Sequence, residues 1–412
     1  MQRILILGAR CARAAMMRRG GLVAVSVSLA AGVTLTPVVA WASTLLATAV
    51  GAADNATQGT RIADPHTPAA ALFENPAGLV QFTTPTYGAD LGIAYGHGHV
   101  EASAPAGYDE TNNVWPAMPD FGVSIPYRER WRFACGAYGT TGSTFNYGAD
   151  PSLGVPRFLS ETIVGSFPFG VAYRLTDRLS IGATVEPLFG QLRSHFTASG
   201  LEFRYKLNGP GVQGAVGVSA RPTDEWAVGV SARLPGMIWM TGTMPVPGLG
   251  RQDVDVDLQM PTQIFAGATW RGVPRLALSA AMRFTDSSSF GDSTIKYDLT
   301  PQANVGFVPD AKNEWKFALA GEYALREQLL LRAGGSWASH IVGASGVNPL
   351  VYDADDARLS VGAGQTFGHW VFDVMGGYAL PAQRHISASE ALVFPGKYST
   401  YGVIVIVGLT YR

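Results

Sequence analysis

The chain has 412 residues, a formal net charge of −1, 15% charged side chains, 47% hydrophobic ones and 49 glycines. That profile is too apolar for a disordered chain and too poor in charge for an ordinary soluble surface. Beyond the N-terminal region no apolar run reaches the ~18 residues of a transmembrane helix, so the composition points to a β-barrel whose outside faces lipid.

Residues 1–42 form a region of their own. Arg10, Arg13, Arg18 and Arg19 precede the apolar run GLVAVSVSLAAGVTL (21–35), and Pro37 and AWA (40–42) follow. This is the layout of a secretory signal peptide, with cleavage expected after Ala42 and Met16 and Met17 as alternative starts. An uncleaved anchor fits less well, because the run is short and ends at a Pro. Removal leaves 25 basic and 31 acidic residues, a net charge of −6, which argues against a nucleic-acid partner. Cys135 is then the one cysteine, leaving no intrachain disulfide, and no His/Cys cluster suggests zinc.

Residues 43–82 are too apolar for a free tail, as in STLLATAVGAA and TPAAALFENPAGL. Within ALFENPAGLVQF (71–82), Pro76 keeps Asn75 away from helical dihedrals, so no helix runs through this point. A wide barrel would hold a lumen. The segment is therefore expected inside it, as a plug whose Asn-Pro turn leads the chain into the wall.

Residues 83–412 are expected to form that wall, with fourteen strands at 83–96, 117–126, 131–139, 159–174, 179–191, 211–221, 226–237, 258–271, 276–286, 314–325, 329–339, 358–367, 370–380 and 400–411. Short polar connections alternate with long ones rich in Gly, Pro, Asp and Ser. The short set is YRER (127–130), LTDR (175–178), PTDE (222–225), GVPR (272–275), REQ (326–328) and GH (368–369). Outer-membrane barrels have short periplasmic turns and long extracellular loops, so both termini are placed on the periplasmic side. Within strands, Trp226, Val228, Val230, Ala232 and Leu234 oppose Gly229, Ser231 and Arg233; Trp315, Phe317, Leu319 and Tyr323 oppose Lys316 and Glu322; and Trp370, Phe372, Val374, Tyr378 and Leu380 oppose Asp373 and Gly377. Charge on the lipid face is costly, so the apolar sets face out. Trp131, Trp226, Trp315 and Trp370 are read as standing just after short turns, at the level of an aromatic girdle. A soluble β-sandwich explains neither the leader, the girdle nor the turn asymmetry.

The ordered series ALFENPAGL (71–79), GADNATQGT (around 51–59), MPTQIFAGATWRGVPRLALSAAMRFTDSSSF (260–290), EWKFALAGEYALREQLLLRAGGSW (314–337) and DADDARLSVGAG (353–364) resembles the FadL/TodX family of outer-membrane transporters for long-chain fatty acids and aromatic hydrocarbons. The resemblance spans nearly the whole mature chain. It implies an all-β fold, a fourteen-stranded antiparallel transmembrane β-barrel plugged by an N-terminal hatch. It also implies capture of a hydrophobic ligand among the extracellular loops, hatch movement, and release sideways through the wall near the third strand. The hatch element would be Asn75, Pro76, Ala77 and Gly78, and the kink for release Gly136 and Gly139 on strand 131–139, since Gly in a strand permits a bulge. One departure is that the chain ends Tyr411-Arg412, where such barrels finish on an aromatic residue used in assembly.

A fatty acid needs an apolar tunnel and one or two cations for its carboxylate. Candidates in long connections are Arg157 beside Phe158, Arg193 near Phe196, and Arg204 with Lys206; each could equally be a solvated loop charge. Inward-facing Arg132, Arg174, Arg233, Arg283, Arg332, Asp90, Glu186, Glu322 and Asp373 are expected to form ion pairs between wall and hatch. HGHVE (97–101) holds too few fixed ligands for a metal, and DADD (353–356) reads as an exposed acidic loop. No metal site, cofactor or catalytic residue is expected, and no Gly-x-Ser-x-Gly elbow appears. The expected partners are a hydrophobic small molecule, outer-membrane lipid and lipopolysaccharide, and the barrel assembly machinery, for a monomer in the Gram-negative outer membrane. A general diffusion porin and an outer-membrane lipid hydrolase are the alternatives; an apolar hatch opposes the first, and the missing nucleophile system the second.

Overall fold

β-Branched and aromatic residues alternate with small ones along most of the chain, and the strands they make pair antiparallel in one sheet. The computed structural model describes residues 47–104, 107–198, 201–246, 248–298, 305–390 and 394–412, so the expected leader lies outside the described residues. Twenty strand segments build fourteen staves. They are β1 (Thr86–Ala102), β2 (Asp109–Val114 and Ala117–Tyr127), β3 (Trp131–Tyr147), β4 (Phe158–Ser166 and Phe169–Thr176), β5 (Leu179–Ala198), β6 (Leu201–Ala220) and β7 (Trp226–Arg233 and Gly236–Val246). There follow β8 (Gly250–Met260 and Gln263–Val273), β9 (Leu276–Thr285 and Thr294–Tyr297), β10 (Val305–Gly306 and Glu314–Arg326), β11 (Leu329–Ala338), β12 (Asp356–Phe367), β13 (Trp370–Ile386) and β14 (Gly396–Tyr411). β14 pairs back onto β1 from Tyr411 opposite Tyr87 to Gly396 opposite Ala102, which closes the barrel. Four staves break where a Pro removes a ladder donor: β2 at Pro116, β4 at Pro168, β7 at Pro235 and β8 at Pro261.

All fourteen expected strands exist, but several run further than expected. The segments between 191 and 211, and between 237 and 258, are strand and not loop: β5 continues to Ala198, β6 starts at Leu201, and β7 and β8 meet at a short turn. Their polarity explains the difference. On β6 one face carries Glu202, Arg204, Lys206 and Asn208, then Val212, Val216 and Val218, all pointing outward; the inward face carries Phe203, Tyr205 and Leu207, then Gln213, Gly217 and Ser219. The strand keeps its two faces while their chemistry inverts. Lower down, apolar groups meet lipid and polar groups face in; above, charge faces water and apolar groups face in.

Trp131, Trp226 and Trp370 stand exposed at the short-turn end, as expected. Trp315 does not. It starts the long part of β10 opposite Phe284, at the far rim, where it packs with Phe284 and Phe317 while Phe317 stacks on Trp337. From Trp315 to Tyr323 the outward face covers about 26 Å of strand at ~3.3 Å per residue, roughly 20 Å across the membrane at the usual tilt and thus most of the ~25 Å apolar band of such barrels.

Candidate functional site

Pro68 at the first helical position and Thr67, whose Oγ1 accepts from Ala70 N at 3.2 Å, start helix α2 (Pro68–Glu74), which follows α1 (Ala52–Ala56). Pro76 forbids continuation, so α2 ends at Asn75 and a 3₁₀ turn runs over Pro76–Gln81. The segment lies within the ring of staves. Going round in order, it hydrogen-bonds every stave from β1 to β12. Ala52 N donates to Asp90, Gly51 N to Asp120, and Arg132, Arg174 and Ser180 donate to the carbonyls of Phe82, Val80 and Ala77. Asn75 donates to Ser219 Oγ, Arg233 to Phe73 O, Thr269 to Asp64, and Arg283 to Ala47 O. Lys316 donates to Gln58 O, Ser336 to Gln58 Oε1, and Ser360 to Ala56 O. Met375 on β13 and Ile406 on β14 complete the circle by packing on Ala52 and Ala56. The polar inward faces of the wall are thus the hydrogen-bonding partners of this segment.

Asn75 is its hub. Its backbone is extended, with φ −157° and ψ 105°. Its N–H closes α2 on Ala71 O at 3.1 Å, and its Oδ1 accepts from Ala77 N at 3.0 Å to cap the 3₁₀ turn. Nδ2 donates to Ile62 O at 2.9 Å, Val218 O at 3.1 Å and Ser219 Oγ at 3.0 Å. Close approach to the wall needs glycine opposite: a Cβ on Gly182 of β5 would sit 2.4 Å from Ala77 N, and one on Gly217 of β6 would sit 2.0 Å from Asn75 Oδ1. Gly78, the last residue of the expected element, lies against Pro65.

Two buried charge networks flank this hub. Glu186 on β5 accepts from Arg233 at 2.5 Å, Thr184 at 2.8 Å and Ser166 at 3.0 Å, and the Arg233 guanidinium lies 5.0 Å from the Phe73 ring centroid. Glu322 on β10 gathers Arg61, His66 at 2.7 Å and Arg332 at 3.1 Å, and Arg332 also reaches Asp373 at 2.6 Å. Arg61 further binds Asp64 at 2.9 Å, and His66 Nδ1 lies 3.0 Å from Asp54. Burial would push the His66 imidazole down, but Glu322 and then Asp54 outweigh it and raise it to about 8. Glu74 is buried with both carboxyl oxygens unmet among the described residues; burial, with Asp54 adding to it, pushes this carboxyl well above the usual range. The expected ion pairs therefore take a mixed form: Arg61–Glu322 joins segment and wall, while Arg132, Arg174, Arg233 and Arg283 donate to segment carbonyls.

Above the segment the interior is apolar. Ile238, Met240, Met244, Val254, Val256 and Leu258 from β7 and β8 pack with Phe203 and Leu207 of β6, and Leu188 and Leu192 of β5. Tyr147–Tyr352 and Tyr205–Tyr297 hydroxyl pairs, at 2.7 and 3.1 Å, satisfy the polar atoms there. Against the segment's beginning, at Ala47–Gly51, lies a cavity of 80 Å³ also lined by Met118, Tyr138, Met375, Ile404 and Ile406, with Arg358 as the one cationic residue among the described lining. Arg358 is anchored by Asp356 and by Thr48 Oγ1 at 3.3 Å.

The sequence-derived carboxylate candidates lie elsewhere. Arg193, Arg204 and Lys206 stand exposed on the outer faces of β5 and β6, and Arg157, also exposed, precedes β4 and donates to Asn146. DADD is not an exposed loop: Asp353 is buried and accepts from Val342 N and Ile341 N, and Asp356 holds Arg358. His97 and His99 bond Asn113 and Asp109. Gly136 and Gly139 sit where β3 meets the break in β4: Gly136 N donates to Pro168 O at 3.1 Å, and pairing slips between Gly139 and Thr141. The bulged Thr140 offers its carbonyl to Ala47 N at 2.8 Å. Sequence reasoning missed Arg358 and the apolar upper interior. Their signal was the alternation of Phe203, Tyr205 and Leu207, and of Val254, Val256 and Leu258, inside stretches that charge and Gly made look like loops.

Residues 33–391 match the model of the outer membrane protein transport family described as OMPP1/FadL/TodX. The sequence matches none of the curated proteins with which it was compared. Among solved structures, a Pseudomonas aeruginosa FadL homologue is similar at 17% identity and a TM-score of 0.75, covering 90% of this chain and 99% of that one. The Pseudomonas putida toluene transporter TodX is similar at 16% identity and 0.70 (89% and 98%), and the Ralstonia pickettii toluene transporter TbuX at 18% and 0.66 (89% and 98%).

Proposed function

Because the chain belongs to the OMPP1/FadL/TodX family of outer-membrane transport proteins, a family of transporters for hydrophobic compounds and not of enzymes, we propose that it takes up long-chain fatty acids. The observations that carry this reading are the apolar upper interior and a separate cavity at the start of the segment whose described lining holds one cation, Arg358. An acyl chain needs the apolar lining, and its carboxylate needs a charge-assisted partner. At 80 Å³ the cavity falls well short of the ~300 Å³ of a typical ligand site. Residues 43–82 then act as a hatch that shifts to admit the ligand, which leaves sideways at the β3–β4 irregularity around Gly136 and Gly139.

Uptake of labelled oleate and toluene by cells carrying the protein tests the substrate. Arg358→Gln is expected to lower oleate uptake about tenfold, the loss of one charge-assisted contact, and to leave toluene uptake nearly unchanged. Equal loss of both would remove the carboxylate role, and uptake of toluene alone would replace the fatty acid with an aromatic hydrocarbon. A steady large single-channel conductance would favour a diffusion porin.

A further inference from the structure

We propose that the outer face of β5 and β6 above the lipid band binds the phosphate groups of an outer-leaflet glycolipid. Arg193 is the cross-strand partner of Lys206, and His195 of Arg204, so four basic side chains form a two-by-two array. Their inward neighbours Leu192, Ser194, Phe203, Tyr205 and Leu207 are buried, which fixes the array outward. Glu161 lies 3.4 Å from Arg193, and Glu202 lies 2.8 Å from His195. Arg204 and Lys206 have no acidic partner among the described residues. Two staves on from β6 the prevailing sign changes: β8 presents Asp253, Asp255 and Asp257 outward beyond Arg251, with Lys296 beside the last two. Charge on the belt is segregated, in a chain that is acidic overall once its expected leader is removed.

Height is the second argument. The outward face of β5 is apolar from Leu179 to Phe189. That is about 33 Å of strand, or roughly 25 Å across the membrane at the usual tilt, the full apolar band. Arg193 lies four residues higher, about 10 Å above the band, and long Arg and Lys side chains reach down along the wall. Phosphorylated sugars anchored in the outer leaflet lie at that level, whereas free phosphate in solution has no reason to gather there. Arg and Lys facing phosphate form charge-assisted hydrogen bonds.

The test uses the full mature protein in detergent, incubated with lipopolysaccharide or with the same lipid after removal of its phosphates, and weighed by native mass spectrometry. Unaltered protein should retain the phosphorylated lipid in preference. Arg204→Ala with Lys206→Ala should lower that retention about tenfold, while Arg178→Ala with Arg221→Ala, at the opposite rim, should change nothing. The single changes Arg204→Gln and Lys206→Gln, each expected to give a partial loss, serve if the double variant fails the heat-modifiable gel shift of a folded barrel. Unchanged retention in the folded variants, equal retention of the dephosphorylated lipid, or displacement of the lipid by millimolar inorganic phosphate would each overturn the assignment.

Discussion

Asn75 does with one side chain what most helix ends divide among several residues. It closes α2, caps the following turn through Oδ1, and ties both to Ile62 and to β6 through Nδ2. Asn75→Ala leaves the Ile62 and Val218 carbonyls without that donor, at a cost of roughly 2–3 kcal/mol to the docked segment. The wall keeps its strand ladder. Uptake of a hydrophobic substrate should therefore fall much more than the amount of heat-modifiable barrel, both measured in one strain; losses in step would leave only a folding role. His66 gives the same segment a pH dependence. Held at about 8 when folded against 6.5 when free, it contributes fully below pH 6.5 and loses that contribution as pH rises through 8. The amount is roughly 2 kcal/mol. Amide exchange in residues 60–75 should accelerate between pH 6.5 and 9 beyond the intrinsic base catalysis. His66→Gln should remove the excess, and an identical profile in that variant would reject the assignment.

At the level of elements, the lower wall was legible because its alternation is simple: apolar out, small or polar in, with short turns that leave no other reading. That the segment from residue 47 to 82 lies within the ring of staves was legible from the mismatch between an apolar stretch and any place for it outside. The upper staves were not, because outward Glu202, Arg204 and Lys206 have the composition of a loop although their spacing is that of a strand. This is also why the sequence offers those cations as candidate ligand contacts, while Arg358, inside β12 and next to DADD, has no loop-like setting to mark it. Trp315 departs from the expected girdle for a related reason: its strand starts after a long connection, so it belongs to the upper rim. The contact between plug and wall depends on elements that lack side chains. Gly182 on β5 leaves no room for a Cβ beneath Ala77. Gly182→Val should push the Asn75–Ala77 turn off β5 while the wall, hydrogen-bonded strand to strand, still forms. In planar bilayers the variant should show frequent openings that the unaltered protein lacks; a closed, fully active variant would mean that the turn can dock elsewhere.

For the molecule as a whole, wall and segment are stabilised by different interactions. The wall closes on itself through β1 and β14, and its backbone hydrogen bonds need nothing from inside. The segment has no comparable ladder. It is held by inward polar groups of β1 to β12 and by apolar contact with β13 and β14. Removing residues 43–70 takes away Arg61, His66 and Asp64, and leaves Glu322, Arg332 and Asp373 on the inner wall. Charges of both signs around an emptied lumen attract water, so the truncated chain should insert, shift on a gel when heated, and pass small polar solutes. The apolar upper interior offers a second possible seal, since its side chains pack together independently of the segment. Conductance separates the two. A large, steady increase over the full-length protein locates the barrier in residues 43–70; conductance no greater than that of the full chain would move the barrier to the packed side chains of β5 to β8 and remove the plug from its place in the transport cycle.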